Sequence, residues 1–190
     1  MLDKSLPFFD FIMKRPAGSP IPDYPLLDGF HVVNFQLGDE LDWAKIETAV
    51  GEFTDEDLAL KYFTDKFLSV LTETEKRTIF LENSGGQKVA TATAWWDFKG
   101  DTKVPKLHWV AVLPEFQGLG LGKSLLTVIT KRMVELDKNQ DFYLHTQTWS
   151  SRAVKLYEKF GYFITDEKNI ASCKNDHYLD ALSVLTKLSK

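Results

Sequence analysis

A chain of 190 residues, 44% hydrophobic and 13% aromatic, can bury a sizeable core and falls within the range of one domain. Its formal net charge of -4 argues against a nucleic-acid partner, because polyanion binding needs a clustered excess of Lys and Arg. Its one cysteine, Cys173, can form neither an internal disulfide nor a multi-cysteine zinc site, which suits a reducing cytoplasm, and the acidic, only briefly apolar N-terminus predicts neither export nor a membrane span.

In chain order, residues 1–29 hold Pro7, Pro16, Pro20, Pro22 and Pro25. Each lacks an amide donor and disfavours helix at the residue before it, so an irregular arm is expected, with Phe8, Phe9 and Phe11 free to pack on the domain or on a second subunit. Residues 30–190 read as one domain. FHVVNFQ predicts a strand and DELDWAKIETAV a helix. A second helix follows, with Thr54 as its N-cap, Asp55, Glu56 and Asp57 in the first turn, and Phe63, Phe67 and Leu71 on one face.

RTIFLE and QKVATATAWWDF are strand-like runs joined by Asn83-Ser84-Gly85-Gly86, a hairpin signal, and KLHWVAVL is a further strand. A turn at Pro114, a glycine-rich loop and an amphipathic helix to about Leu136 come next. FYLHTQT predicts a strand, a short helix ends at Gly161, YFIT is a strand, and HYLDALSVLT is expected to be the last one. This order points to a mixed sheet with helices on both faces, an α/β (α+β) fold.

The segment VAVLPEFQGLGLGKSLLTVI carries the most information. Glycines at 118, 120 and 122 let backbone approach a ligand closely, and the outward amides of a helix start favour a phosphate or pyrophosphate, with Lys123 adding a cation. Gly122-Lys123-Ser124 matches the end of a P-loop, but the first glycine of that motif would fall on Gln117. A dinucleotide fingerprint fails at Lys123 or Leu125, where its third glycine would stand. A tight turn with no ligand explains one glycine more readily than three alternating ones.

Gln117-Gly118-Leu119-Gly120-Leu121-Gly122 resembles the Q/R-x-x-G-x-G/A motif of the GCN5-related N-acetyltransferase (GNAT) superfamily. Downstream, Ala153-Val154-Lys155-Leu156-Tyr157-Glu158-Lys159-Phe160-Gly161-Tyr162-Phe163 is similar to the family's A-x-x-L-Y-E-K-x-G-F signature. The resemblance runs from about Arg77 to Phe163. It implies a central, mostly antiparallel sheet with one parallel, splayed strand pair, formed by residues 107–112 and 142–148, and acetyl-CoA as cosubstrate with no metal.

On that resemblance Val110 and Val112 contact the pantetheine arm and thioester, and the stretch Gln117, Gly118, Leu119, Gly120, Leu121, Gly122 and Lys123 binds the pyrophosphate. Ser150 and Ala153 complete the cofactor contacts. Many relatives have asparagine at the position of Ser150, and the shorter serine departs from that pattern.

The resemblance makes Tyr157 the acid that protonates the departing thiolate and a cofactor contact as well. Ala153, Leu156, Tyr157 and Phe160 also have the spacing of a core-facing stripe, so packing alone explains them equally well. An alkylammonium with a pKa of about 10 must lose a proton before it attacks. His108, on the same strand face as Val110 and Val112 by simple alternation, is the candidate base, with a water chain as the alternative.

Glu52, Trp95 and Asp97 are secondary substrate-side candidates. Most of Trp43, Trp95, Trp96, Trp109 and Trp149 are expected in the core, with one or two walling an acceptor pocket. His31, His145 and His177 lack metal-ligand spacing and read as strand residues.

The expected activity is transfer of acetyl from acetyl-CoA to a primary amine of a small molecule, by direct attack in a ternary complex. A non-catalytic acyl-CoA sensor or scaffold and a protein or peptide N-acetyltransferase are the alternatives. A homodimer is left open.

Overall fold

The computed structural model describes residues 2–138, 140–170 and 173–188. Strands β1 (Asp10–Arg15) and β2 (Phe30–Asn34) precede helices α1 (Glu40–Val50), α2 (Glu56–Phe67) and α3 (Leu71–Arg77). Then follow β3 (Thr78–Asn83), β4 (Lys88–Lys99), β5 (Thr102–Val112), α4 (Leu121–Asp137), β6 (Phe142–Gln147), α5 (Ser151–Lys159) and β7 (Phe163–Ile164). The short pair β8 (Asn169–Ile170) and β9 (Cys173–Lys174) leads to α6 (Tyr178–Lys187).

Seven strands make one sheet in the order β2-β3-β4-β5-β6-β1-β7. The β2/β3, β3/β4, β1/β6 and β1/β7 pairs are antiparallel, whereas β5 and β6 pair parallel, at Lys106 with Tyr143. This is the expected mixed α/β fold.

The chain divides into two compact units, Met1–Pro22 with Trp95–His108 and Met133–Lys190, and Asp23–Ala94 with Trp109–Arg132. In the first, Phe11, Ile12 and Met13 of β1 are buried together with Phe142 and Phe160. Arg15 is buried there too, donating from Nε to Phe160 O at 2.9 Å. In the second, Trp43, Phe63 and Phe67 pack with Phe35 and Phe80 of the adjoining segments.

Two expectations change. The stretch 1–29 is not irregular throughout, because its prolines leave a proline-free gap from Phe8 to Arg15, and β1 forms there with both neighbours hydrogen-bonded to it. The segment 177–186 is not a strand. Tyr178–Lys187 is helical, and Ala181 and Leu185 at i, i+4 spacing are its buried positions. The helical region after β2 also includes a third helix, α3, which runs to Arg77.

Candidate functional site

In the second unit β5 ends in a turn that opens α4. Pro114–Phe116 form one 3-10 turn, and the Gln117 side chain folds back so that its Nε2 donates to Val112 O at 2.8 Å. That bond holds the end of β5 against the start of the glycine segment. Gly118 (φ +82°) and Gly120 (φ +96°) then adopt left-handed backbone, which any side chain would strain, and no atom lies within 4 Å of where a Cβ would sit on either.

At the start of α4, Gly120 O accepts from Lys123 N at 2.9 Å and from Ser124 N at 3.4 Å, and this end of the helix carries the positive end of its dipole. Left-handed glycines, open space above them and a helix start fit an anionic group approaching the backbone, as the pyrophosphate of a coenzyme A would. The Lys123 ammonium lies 5.3 Å from the ring of Tyr24, in the segment 23–25. That segment is pinned along α4 by Ser124 Oγ donating to Pro25 O at 2.7 Å and by Tyr24 N donating to Thr127 Oγ1 at 3.2 Å.

Val110 and Val112 are half-buried in β5, one and three residues past Trp109. Trp109 has φ +49°, a left-handed value unusual for a bulky residue inside a strand. It interrupts the regular pleat of β5.

The Trp109 ring is one of an aromatic group. Its centroid lies 5.3 Å from Trp43, 5.4 Å from Phe53 and 5.2 Å from Tyr62. Beside these rings Glu47 is fully buried. Burial, and then the charge of Glu52, raise its carboxyl well above the usual range. Burial likewise raises the Tyr62 phenol, against a hydrogen bond with Trp109 and with a smaller push from Glu47. Glu52 is exposed on the connection between α1 and α2.

The first unit holds the remaining candidates. Tyr157 on α5 is 8% exposed, with its ring 6.1 Å from Tyr162. Val154 and Phe160 are buried on the same helix face, and Ala153 and Ser150 are half-buried. Ser150 stands at the N-cap position of α5 without a side-chain capping bond.

His108 is half-buried in β5. Trp95 and Trp96 stack at 4.3 Å, and Lys103 Nζ lies 4.1 Å from the Trp96 centroid. Asp97 lines a small pocket with Lys106, Tyr143, His145 and Cys173. Trp149 donates from Nε1 to Leu6 O at 2.8 Å and packs edge-on against Phe8, so the N-terminal segment covers it.

His31 pairs with Glu82 on the neighbouring strand, and His145 and His177 both bond Asp10. His177 sits at the N-cap of α6 rather than in a strand. Among the described residues no group of three His, Cys, Asp or Glu side chains could hold a metal ion.

Glu47 was not among the residues expected at the site. Its signal was available, since Glu47 follows Trp43 by four residues and so shares the apolar face of α1.

A mixed sheet whose fifth strand runs through a glycine turn into a helix is the frame on which this site is built. Residues 40–162 match the model of the acetyltransferase (GNAT) family, and the chain belongs to that family. It is 34% identical over 73 residues to an N-alpha-acetyltransferase of Sulfurisphaera tokodaii, a match covering 35% of this chain and 44% of that protein.

Similar solved structures include a GCN5-related N-acetyltransferase from Sphaerobacter thermophilus (17% identity, TM-score 0.61, 82% of this chain and 48% of that one). A GNAT-family acetyltransferase from Colwellia psychrerythraea aligns at 14% identity and TM-score 0.62 over 84% of this chain and 55% of its own. A further one, from Staphylococcus aureus, aligns at 15% identity and TM-score 0.58 over 75% and 90%. The chain thus spans about half the length of the first two structures, and at these identities the likeness is one of fold.

Proposed function

We propose that the chain is an acetyl-CoA-dependent N-acetyltransferase that transfers acetyl to the primary amine of a small molecule. The observation that carries this reading is the turn from β5 into α4, with Gly118 and Gly120 left-handed under open space at a helix start. Acetyl-CoA supplies an activated acyl group. The residues from Gln117 to Lys123 would hold its pyrophosphate through backbone amides, and the backbone at Val110 and Val112 would orient the thioester and stabilise charge on its carbonyl oxygen. Ser150 and Ala153 would add contacts.

In this reading Tyr157 donates the proton that the departing thiolate takes up, and His108 or water removes the proton of the amine. No helix among the described residues is long and apolar enough to cross a membrane, and the lone cysteine suits a cytoplasmic setting.

A second reading, acetylation of a peptide N-terminus, draws support from the relative in Sulfurisphaera tokodaii named an N-alpha-acetyltransferase. One assay addresses both: thiol release from acetyl-CoA over a panel of small amines and short peptides, with the native chain and Tyr157→Phe. The proposal expects amine-dependent release that Tyr157→Phe lowers at least tenfold while acetyl-CoA still binds. Acetyl-CoA binding with no release for any acceptor would instead favour a sensor module.

A further inference from the structure

The second unit contains a buried polar group that the acetyl-donor side does not use. Glu47 is 1% exposed, and its Oε1 has no hydrogen-bond partner among the described residues. Trp43, one helical turn earlier, is fully buried with its Nε1 equally unpartnered. Buried polar atoms are nearly always satisfied, and an exception calls for a strain, a solvent or a ligand that completes it.

The surroundings point to a ligand. Trp43, Phe53, Tyr62 and Trp109 come from α1, the α1–α2 connection, α2 and β5, and their centroids lie 5.2 to 6.2 Å apart. Electron-rich ring faces around an acidic group are the chemistry that recognises an organic ammonium. Phe53, Tyr62 and Trp109 are half-buried, so the group reaches the surface, where exposed Glu52 adds a second carboxylate.

We propose that Glu47, with the rings of Trp43, Phe53, Tyr62 and Trp109, binds the ammonium end of a small primary amine that carries an apolar or aromatic group. The ammonium pairs with the Glu47 carboxylate, and the apolar portion lies against the rings. Burial and the charge of Glu52 keep the Glu47 proton in place while the site is empty, and an arriving cation supplies the counter-charge that lets it ionise. Phe53 is the one ring of the four held by neither helix nor strand, on the connection that begins at Gly51 (φ +91°), and it swings aside to admit the amine. Trp109 directly precedes Val110, which sets the bound amine beside the strand proposed to orient the thioester. That last step, the fate of the amine, rests on the acetyltransferase reading; its binding does not.

The test is titration calorimetry of the native chain, without acetyl-CoA, using 2-phenylethylamine, its neutral isostere 2-phenylethanol and a tripeptide amide with an N-terminal phenylalanine. The proposal expects the amine to bind at least tenfold more tightly than the alcohol. Glu47→Gln, checked by near-UV circular dichroism, should bring that ratio close to one. Tyr62→Leu should lower it several-fold, and it decides the matter if Glu47→Gln does not fold.

Tighter binding of the free amine than of the tripeptide supports the small-molecule source. A tripeptide that binds more tightly than the free amine overturns that source. Equal binding of amine and alcohol to the native chain, or a ratio unchanged in the variants, overturns the site. Amine binding that depends on Glu47 with no acetyl transfer would sink the acetyltransferase reading alone, and transfer indifferent to Glu47 would sink the subsite alone.

Discussion

Gly161 closes α5 with φ +84°, and Tyr162 N reaches back to Tyr157 O at 3.2 Å, the wide bond of a Schellman end. A Cβ at Gly161 would sit 3.2 Å from Ser19 Cβ, beside the buried Arg15. Both the dihedral and the space therefore require glycine, and Gly161→Ala should lower stability by about 1–2 kcal/mol, read as a reduced urea midpoint with unchanged slope.

Asp10 bonds His177 at 2.9 Å and His145 at 3.2 Å. Burial pushes its carboxyl up, but the hydrogen bonds from His177 and His145 outweigh that and hold it below its ordinary value, while the same contact raises His177. The Asp10 contribution is present above its unfolded pKa, about 4, and disappears as pH falls through the lower folded value. The His177 contribution is full below about 6.5 and disappears as pH rises through the higher folded value. Burial and then the charge of Lys106 lower the His145 imidazole, against its contact with Asp10. The Tm difference between the native chain and Asp10→Asn should thus be widest between about pH 4 and 6.5 and narrow on either side.

Helix α2 shows how a single side chain sets an element's start. Asp55 accepts from Leu58 N at 2.8 Å, and Thr54, the expected cap, instead donates to Asp55. Asp55→Ala should cost about 1 kcal/mol and Thr54→Ala clearly less, measured by chemical denaturation. Both residues are good caps, and sequence alone does not say which adopts the extended dihedrals that capping needs.

The same limit explains the other elements. β3, β4, β5 and β6 were legible from apolar runs bounded by turn signals, and the glycine segment from residue type and order. α6 was not, because HYLDALSVLT supports either period over so short a span, and tertiary burial of Ala181 and Leu185 decides it. β1 was hidden among prolines, and although the spacing of Glu47 to Trp43 was legible, the rings that three other elements bring to it come only from the fold.

At the level of the whole chain, the N-terminal strand lies inside the sheet, with β6 on one side and β7 on the other. Residues 1–15 should therefore be indispensable to the first unit. A chain lacking them should lose hydrogen-exchange protection at the amides of residues 142–147, while those of β2 and β3, in the other unit, keep more of theirs.

Because Asp10–Arg15 must meet Phe142–Gln147, order of synthesis and order of assembly run in opposite senses for this strand. The apolar stretch Phe11-Ile12-Met13 leaves the ribosome well before Phe142–Gln147 and has to wait for that segment before it can be covered. Loop closure over such a span is slow, so nascent chains stalled before residue 142 should display this sticky segment to chaperones, and its release should follow the synthesis of β6.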